Sequence, residues 1–188
     1  FEASAKVPFV LYCPGKIDPG VVVNEALGCV DFMPTILGLM GVKSSGTEEG
    51  RNAAALFTNK AVADWNDIAI FRSSGRGGGW LAAATKRHKL VVTSDGSPWL
   101  FDLEKDPDEL KNFFADSASR EIVRSLSSQL LAYCTTHKDP RIQSPRIKDD
   151  LSWGAEGTDP YVAPDLPDEP REPRKKKKRK KKKGAADE

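Results

Sequence analysis

The sequence has few of the residues that build metal centres and disulfide frameworks. Its 188 residues include two histidines and three cysteines, Cys13, Cys29 and Cys134. An odd number of cysteines, with no Cys-x-x-Cys pair, argues against a zinc site and against a full disulfide framework. Cys13 and Cys29 stand among apolar residues, where a free cysteine packs as a small hydrophobic side chain. A single Cys13–Cys29 disulfide is the alternative to this interpretation.

Long apolar runs and export signals are also missing. No stretch reaches the roughly 18–20 apolar residues that are needed to span a membrane. The sequence opens at Phe1 with no initiator methionine and with none of the basic, apolar and small-residue parts of a signal peptide. We therefore expect a fragment, or a gene model that is truncated at its start.

Basic and acidic residues are unevenly distributed along the chain. Residues 171–188 hold 11 of the 29 basic residues and 3 of the 27 acidic residues. The other 18 basic and 24 acidic residues give residues 1–170 a net charge of −6, which argues against a dedicated nucleic-acid domain. The unbroken basic run Arg174–Lys183 repels itself and cannot bury a core, so we predict disorder from residue 164 onward.

The first forty residues combine a strand pattern with a helix pattern. Val7–Tyr12 is a short apolar run that predicts a buried strand. Asp31 is a good N-cap, and Pro34 suits the first turn of a helix, where the N–H groups have no partner within the helix. The residues up to a C-cap at Gly41 are almost all apolar, which predicts a helix that is buried nearly all round.

From Asp67 onward the pattern is that of an antiparallel sheet followed by a helix. Asp95-Gly96 within a short polar link is a strong hairpin signal. Apolar residues recur at four-residue spacing between positions 122 and 130, and they predict a helix over residues 117–133. Four segments are predicted to be strands: residues 68–71, 80–84, 89–92 and 99–103.

The links between and after these elements are rich in charge and proline. Asp106–Glu109 predicts a short helical turn with carboxylates at its start. Residues 141–163 predict an extended segment, from which Trp153 and Tyr161 are expected to pack on the body of the protein. We interpret Asp149-Asp150 within this segment as solvated charge and not as a metal-binding pair.

Segments at both ends of this pattern resemble type I sulfatases of the alkaline-phosphatase-like superfamily. Leu100–Asn112 is similar to the family pattern Leu-(Tyr/Phe)-Asp-Leu-x-x-Asp-Pro-x-Glu-x-x-Asn. Near the N-terminus, a series of segments resembles the family in order and spacing: Phe1-Glu2, Lys6-Val7-Pro8-Phe9, Pro14-Gly15-Lys16-Ile17-Asp18-Pro19-Gly20 and Val30-Asp31-Phe32-Met33-Pro34-Thr35. The resemblance covers about residues 1–140.

The resemblance implies an α/β fold that is α+β within this fragment. The expected architecture is the end of an alkaline-phosphatase-like α/β domain, followed by a small four-stranded antiparallel sheet with a covering C-terminal helix. The expected units are residues 1–60 (end of the α/β domain), 61–140 (C-terminal subdomain), 141–163 (extended segment) and 164–188 (disordered polybasic tail).

The resemblance also implies chemistry whose residues are missing from this sequence. Sulfatases hydrolyse sulfate esters with a formylglycine, made from Cys or Ser in a Cys/Ser-x-Pro-Ser-Arg motif, and with a divalent cation that is usually calcium. The sequence contains no such motif and no counterpart of the family's paired metal-binding aspartates. We therefore assign no catalytic residue and no metal ligand, and we expect this chain to hold neither cofactor.

The link between the first two predicted strands is the candidate substrate rim. It contains Arg72, Arg76 and Trp80; guanidinium groups suit sulfate or carboxylate, and an indole can stack on a sugar ring. The alternative is a mobile hairpin tip with Trp80 packed inward. His88 and His137 have no identifiable acid or ligand partner, so we interpret them as surface or hydrogen-bonded histidines.

Three functions fit these observations. In the first, the chain is the C-terminal portion of a calcium-dependent sulfatase that acts on sulfated carbohydrate or a small sulfate ester, and it is inactive alone. In the second, it is a non-catalytic protein that binds polyanions through Arg174–Lys183. In the third, it belongs to a phosphate or phosphonate ester hydrolase of the same superfamily. Full-length sulfatases are commonly exported, which implies a periplasmic or extracellular location.

Overall fold

Four antiparallel strands form the sheet of this protein. The computed structural model of the chain describes residues 2–58, 65–73 and 79–163. The strands lie in the order β1-β2-β3-β4, so that each strand pairs with the next along the chain. They are β1 (Ala69–Arg72), β2 (Trp80–Ala84), β3 (His88–Thr93) and β4 (Trp99–Asp102). All four predicted strands are confirmed, and their ends differ from prediction by no more than one residue.

Helices precede and follow the sheet. In the described residues the α-helices are α1 (Glu2–Ala5), α2 (Phe32–Met40), α3 (Ala54–Phe57), α4 (Arg120–His137) and α5 (Pro145–Glu156). Short 3-10 helices at Cys29–Asp31, Ser117–Ser119 and Pro140–Gln143 lead into α2, α4 and α5. The predicted helix over residues 117–133 is confirmed as α4 with its 3-10 start, although it continues to His137. The architecture is the expected α+β sheet with a covering helix.

The strand register sorts the side chains onto two faces. Successive residues of a strand point to opposite faces, and Leu81 lies opposite both Arg72 and Val92. Leu81, Leu90 and Leu100 are fully buried in one cluster with residues of α4 and α5. We call this side the helix-covered face. The second face carries Phe71, Trp80, Lys89, Val91, Trp99 and Phe101.

Helices α4 and α5 pack closely on each other and on the helix-covered face. On α4, Val123, Leu126 and Leu130 recur at three- and four-residue spacing and are 0–2% exposed. Burying each such side chain stabilises the fold by about 1.5–3 kcal/mol. Where the helices meet, a Cβ atom on Gly154 would lie 2.1 Å from Ser127 Oγ. A glycine at position 154 is therefore needed for the close approach of α5.

The expectation of an extended segment over residues 141–163 is wrong for most of its length. Ser144 is the N-cap of α5 and its Oγ accepts a hydrogen bond from the Ile147 N–H, while Pro145 occupies the first turn. Ile147 and Leu151 are fully buried. The charged composition of the segment obscures a short amphipathic helix pattern. The expectation that Trp153 and Tyr161 pack on the body is confirmed, because both contact the core cluster.

The interpretation of Asp149-Asp150 as solvated charge is wrong for Asp150. Asp150 is 1% exposed and its carboxylate accepts hydrogen bonds from Arg146 Nε at 2.9 Å and from Tyr161 Oη at 2.7 Å. Burial is the main influence and raises the pKa of Asp150. A buried carboxylate with two donors anchors α5 to the chain that follows it.

The predicted buried strand at Val7–Tyr12 is also wrong. Within the described residues this segment is not a strand, and Val7, Val10 and Tyr12 are 72%, 87% and 90% exposed. An apolar run predicts burial, but a strand also needs a neighbouring strand that supplies hydrogen-bond partners. None of the described strands pairs with this segment.

Helix α2 is confirmed in position but not in its burial. It ends at Gly41, which has the left-handed backbone (φ 72°) predicted for the C-cap. Asp31 stands at the N-cap position, but its carboxylate accepts hydrogen bonds from the Gly28 and Arg51 N–H groups instead of capping the helix. Met33 and Met40 are 62% and 64% exposed, so the prediction of burial nearly all round is wrong.

The helical turn that was predicted after β4 is not formed. Asp106–Glu109 is a turn and not a helical turn, and Glu109 has a left-handed backbone (φ 56°).

Cys13 and Cys29 are free, so the alternative of a disulfide between them is wrong. No helix in the described ranges combines the length and apolarity needed to cross a bilayer. The predicted disordered tail, residues 164–188, lies outside the described residues, and the predicted unit boundaries stay predictions.

Candidate functional site

The predicted substrate rim lies at one end of the β1–β2 hairpin. Arg72 is the last residue of β1 and is opposite Leu81, so its side chain belongs to the helix-covered face. Arg72 Nε lies 2.7 Å from the carboxylate of Asp139, which is 3% exposed. The local sequence pattern does not reveal this pairing, because Asp139 follows α4 and is distant from Arg72 along the chain.

Trp80 belongs to the other face of the same hairpin. Its indole is 37% exposed and meets the Phe71 ring edge-on, with the ring centroids 5.9 Å apart. The Trp80 N–H donates to Ser73 Oγ at 3.1 Å, and the Ser73 N–H donates to the Trp80 carbonyl at 3.1 Å. Arg72 and Trp80 therefore lie on opposite faces at the same end of the hairpin. Arg76 lies outside the described residues.

The base of this hairpin is held by Arg141, a residue that the local sequence pattern does not mark as functional. Arg141 Nη2 donates to the Ser73 carbonyl at 2.8 Å. A Cβ atom on Gly79 would lie 2.1 Å from Arg141 Nη1, so the guanidinium fits only beside a glycine. Asp139 accepts the Arg141 N–H at 2.8 Å and caps the 3-10 helix there. The Asp139-Pro140 pair, an N-cap followed by a proline, was the one sequence signal for this anchor.

A second polar surface lies at the opposite end of β2. An open groove of about 630 Å³ is lined by Asn24, Glu25, Lys86, Arg87 and Glu104. Asp67 positions its two sides, because its carboxylate accepts the Ala26 N–H at 2.7 Å and the Lys86 N–H at 3.0 Å. The lining includes two cations and two carboxylates, so its charge is balanced and does not favour an anion.

Arg87 and His88 share the carboxylate of Asp102. Arg87 donates to both oxygens of Asp102, from Nε at 3.1 Å and from Nη2 at 3.0 Å. The Arg87 guanidinium is the main cause that lowers the pKa of Asp102 to about 2. His88 Nε2 lies 3.7 Å from Asp102, so the expectation that His88 has no acid partner is wrong. Burial lowers the pKa of His88, which favours a neutral imidazole at pH 7.

His137 is the last residue of α4, and its ring lies 4.5 Å from the ring of Tyr133. This contact is a packing contact on the helix and gives the imidazole no catalytic partner. The helix predicted over residues 117–133 does not reach His137.

The described residues do not fit the cofactors that the resemblance implies. They contain no group of three or more His, Cys, Asp or Glu side chains that could hold a metal ion. Cys134 is buried, and burial raises the pKa of its thiol to about 11. None of the three cysteines stands in a Cys-x-Pro-Ser-Arg motif. Neither calcium nor a formylglycine has a site in the part of the chain that the structure describes.

Comparison with known proteins identifies the family. A family model described as N-sulphoglucosamine sulphohydrolase, C-terminal, matches residues 1–136. An arylsulfatase from Clostridium perfringens is 31% identical over 135 residues, which are 70% of this chain and 28% of that protein. The chain spans about a quarter of the length of the curated relatives that it matches.

Solved structures share the fold. The phosphonate monoester hydrolase SpPMH from Silicibacter pomeroyi superposes with a TM-score of 0.53 at 26% identity, over 70% of this chain and 29% of that one. A protein solved in complex with its substrate D-glucosamine-2-N,6-O-disulfate superposes with a TM-score of 0.51 at 23% identity, over 58% of this chain and 24% of that one. With residues 1–136 matched by the family model, the chain belongs to the N-sulphoglucosamine sulphohydrolase C-terminal family and contains the C-terminal region of a sulfatase.

Proposed function

We propose that the chain is part of a sulfatase that hydrolyses sulfate esters of carbohydrates. The match of residues 1–136 to a family described by an N-sulfated amino sugar supports a sulfated carbohydrate, and the 31% identity to an arylsulfatase supports a sulfate ester. The disulfated glucosamine that is the substrate of one structural neighbour supports the same substrate class. Periplasmic or extracellular action on sulfated polysaccharide is consistent with such substrates.

In this proposal the catalytic residues lie outside these 188 residues. The sequence has no Cys/Ser-x-Pro-Ser-Arg motif, and the described residues offer no metal-binding cluster. The calcium ion and the formylglycine would supply the electrophilic and nucleophilic chemistry in the complete enzyme. The contribution of this chain is to support the fold and to border the substrate.

Two of the three rim residues, Arg76 and Trp80, keep a proposed substrate role. Trp80 has an exposed indole on the second face, where it can stack on a sugar ring. Arg72 is 39% exposed but is committed to Asp139, so we assign it the role of fixing the end of β1. Arg76 is the guanidinium proposed to contact a sulfate group.

An assay of the 188-residue chain with an aryl sulfate and calcium tests the assignment of the catalytic residues. The expected result is no turnover above that of a buffer blank. Turnover that copurifies with the chain, and that remains after a tag change and a second column, would contradict the proposal.

A phosphonate or phosphate ester hydrolase is the second candidate. The observation that favours it is the TM-score of 0.53 to a phosphonate monoester hydrolase at 26% identity. Parallel assays of the complete enzyme with an aryl sulfate and a phenylphosphonate monoester separate the two. The sulfatase proposal predicts a higher kcat/KM for the sulfate ester.

Polyanion binding by the basic run is the third candidate. The 11 basic residues among positions 171–188, against 3 acidic ones, favour it. Retention on a heparin column that falls with salt, and that is lost on deletion of residues 171–183, would support it. Equal retention of the deleted and intact chains would contradict it.

A further inference from the structure

A lysine side chain is buried on the second face of the sheet. Lys89 stands near the start of β3 and its side chain is 1% exposed. A buried ammonium is strongly destabilising unless it is paired and hydrogen-bonded. Two carboxylates meet this need. Lys89 Nζ lies 2.8 Å from Glu2 Oε1, and it forms a second ion pair with Glu109.

The three residues come from distant parts of the sequence. Glu2 begins α1 and is 87 residues from Lys89. Glu109 belongs to the turn after β4, and its side chain is 2% exposed. The Glu2 N–H also donates to Glu109 Oε2, so Glu2 is bound through both its side chain and its backbone. We call Glu2, Lys89 and Glu109 the buried ion cluster.

The cluster accounts for the position of α1. A helix of four residues is not stable by itself, and the chain that follows is exposed at Val7 and Val10. The Lys6 N–H donates to the Glu2 carbonyl at 2.8 Å, so the helical turn depends on where Glu2 lies. The next anchor along the chain is Phe9, whose ring stacks on Phe32 with centroids 4.1 Å apart.

These two anchors attach one segment to two parts of the molecule. Glu2 binds the sheet, and Phe9 binds α2. We propose that Lys89 is a positioning residue which, together with Glu109, holds Glu2 and fixes the path of residues 2–9 between the second face of the sheet and α2.

The net charge of the cluster predicts which of its residues is the most damaging to remove. Two carboxylates face one ammonium, so removal of Glu2 leaves a balanced pair. Removal of the Lys89 charge leaves the buried Glu109 carboxylate, and the partly exposed Glu2 carboxylate beside it, without a cation. Glu2 variants are therefore expected to fold and to release α1 selectively. Lys89→Met is expected to be the more damaging change.

This inference deepens the proposed function. In a sulfatase, the residues around Glu2 would connect the C-terminal sheet to the catalytic part, and Lys89 would set how that connection meets the sheet. The contact itself can be measured in the 188-residue chain, whatever its activity. An experiment that contradicts the role of Lys89 therefore leaves the sulfatase proposal untouched, and an experiment that contradicts the sulfatase proposal leaves the role of Lys89 untouched.

Hydrogen exchange of the 188-residue chain, followed by mass spectrometry, tests the cluster. In Glu2→Ala the Lys6 amide, which donates to the carbonyl of residue 2, should exchange at least about tenfold faster, which corresponds to the loss of one hydrogen bond to a charged group. Amides of β2 and β3 should keep their protection. The matched control is Glu121→Ala, which removes the exposed ion pair to Arg124 and should leave exchange of the Lys6 amide unchanged.

A second pair of variants tests Lys89 itself. Lys89→Arg keeps the charge and should retain slower exchange at the Lys6 amide than Lys89→Met. If Lys89→Met does not fold, Glu2→Ala carries the test alone. Unchanged exchange of the Lys6 amide in Glu2→Ala would overturn the proposal. Equal acceleration of this amide and of β2 and β3 would also overturn it, because it would show a general loss of stability and not a positioning role.

Discussion

Arg72 and Asp139 form an ion pair that ties the end of β1 to the chain after α4, with Arg72 Nε 2.7 Å from the Asp139 carboxylate. Arg72 is one of the three residues that the sequence predicted to bind substrate, and its guanidinium is engaged by Asp139. The ion pair also shows that a guanidinium at a predicted rim can serve the fold.

Loss of Asp139 is therefore expected to destabilise the protein. Asp139→Ala removes the partner of Arg72 and the cap of the Arg141 N–H. We expect the free energy of unfolding to fall by about 2 kcal/mol, measured by urea denaturation. Glu121→Ala, which breaks an exposed pair, should cost about 0.5 kcal/mol or less. Equal costs for the two variants would contradict this account of Arg72.

The roles of Arg76 and Trp80 can be separated by ligand binding. If the rim contacts a sulfated sugar, Arg76→Ala should weaken binding of a sulfated disaccharide by about tenfold or more, because a charge-assisted hydrogen bond is lost. Trp80→Ala should also weaken it, whereas Trp99→Ala should not, although Trp99 is 38% exposed on the same face. Isothermal calorimetry at low salt measures all three. An equal effect of both tryptophan variants would remove the assigned role of Trp80.

The pairing of Arg87 with Asp102 predicts a pH dependence. Arg87 lowers the pKa of Asp102 from 3.8 to about 2 in the folded state. The stability that Asp102 contributes is thus present above the unfolded pKa and is lost as the pH falls through about 2. Asp102→Asn should cost about 2 kcal/mol at pH 6, and this cost should shrink between pH 4 and pH 2. A cost that is the same at both ends of this range would contradict the assignment.

The anchor of α5 predicts a specific effect of a single hydroxyl group. Tyr161→Phe removes the hydrogen bond to the buried Asp150 carboxylate and also the contact with Arg146. We expect a loss of about 1–2 kcal/mol in thermal or urea unfolding. The ring itself remains against Phe114, so the core should stay packed. An unchanged free energy of unfolding would show that Asp150 does not need this donor.

The sequence predicted the elements whose signals are local. The four strands follow from short apolar runs and from the Asp95-Gly96 turn, and α4 follows from its four-residue spacing. Gly41 was predicted as a C-cap because glycine readily adopts the left-handed backbone that often ends a helix, and Gly41 has this backbone.

The errors concern residues whose environment depends on distant partners. Asp150 was interpreted as solvated charge, but it is buried beside Tyr161, which donates to its carboxylate from outside α5. Charged residues are mostly exposed, so a charged residue is predicted to face solvent when its partner is not evident from the sequence. The reverse error occurred at Val7–Tyr12, where an apolar run has no neighbouring strand among the described residues.

The candidate site was predictable only in part. The register of β1 and β2 separates Arg72 from Trp80, and register is set by pairing across the sheet and not by either strand alone. The buried ion cluster could not be predicted from the sequence for a related reason. Its two glutamates lie in the two segments that most resemble sulfatases, but nothing in their local pattern indicates that they meet at one lysine.

The most direct test of the central claim is to sequence the transcript upstream of the codon for Phe1. The account predicts an in-frame segment that encodes a Cys/Ser-x-Pro-Ser-Arg motif, the source of the formylglycine that this chain does not contain. A full-length transcript whose upstream in-frame sequence holds no such motif would contradict the proposal that this C-terminal region serves an active sulfatase.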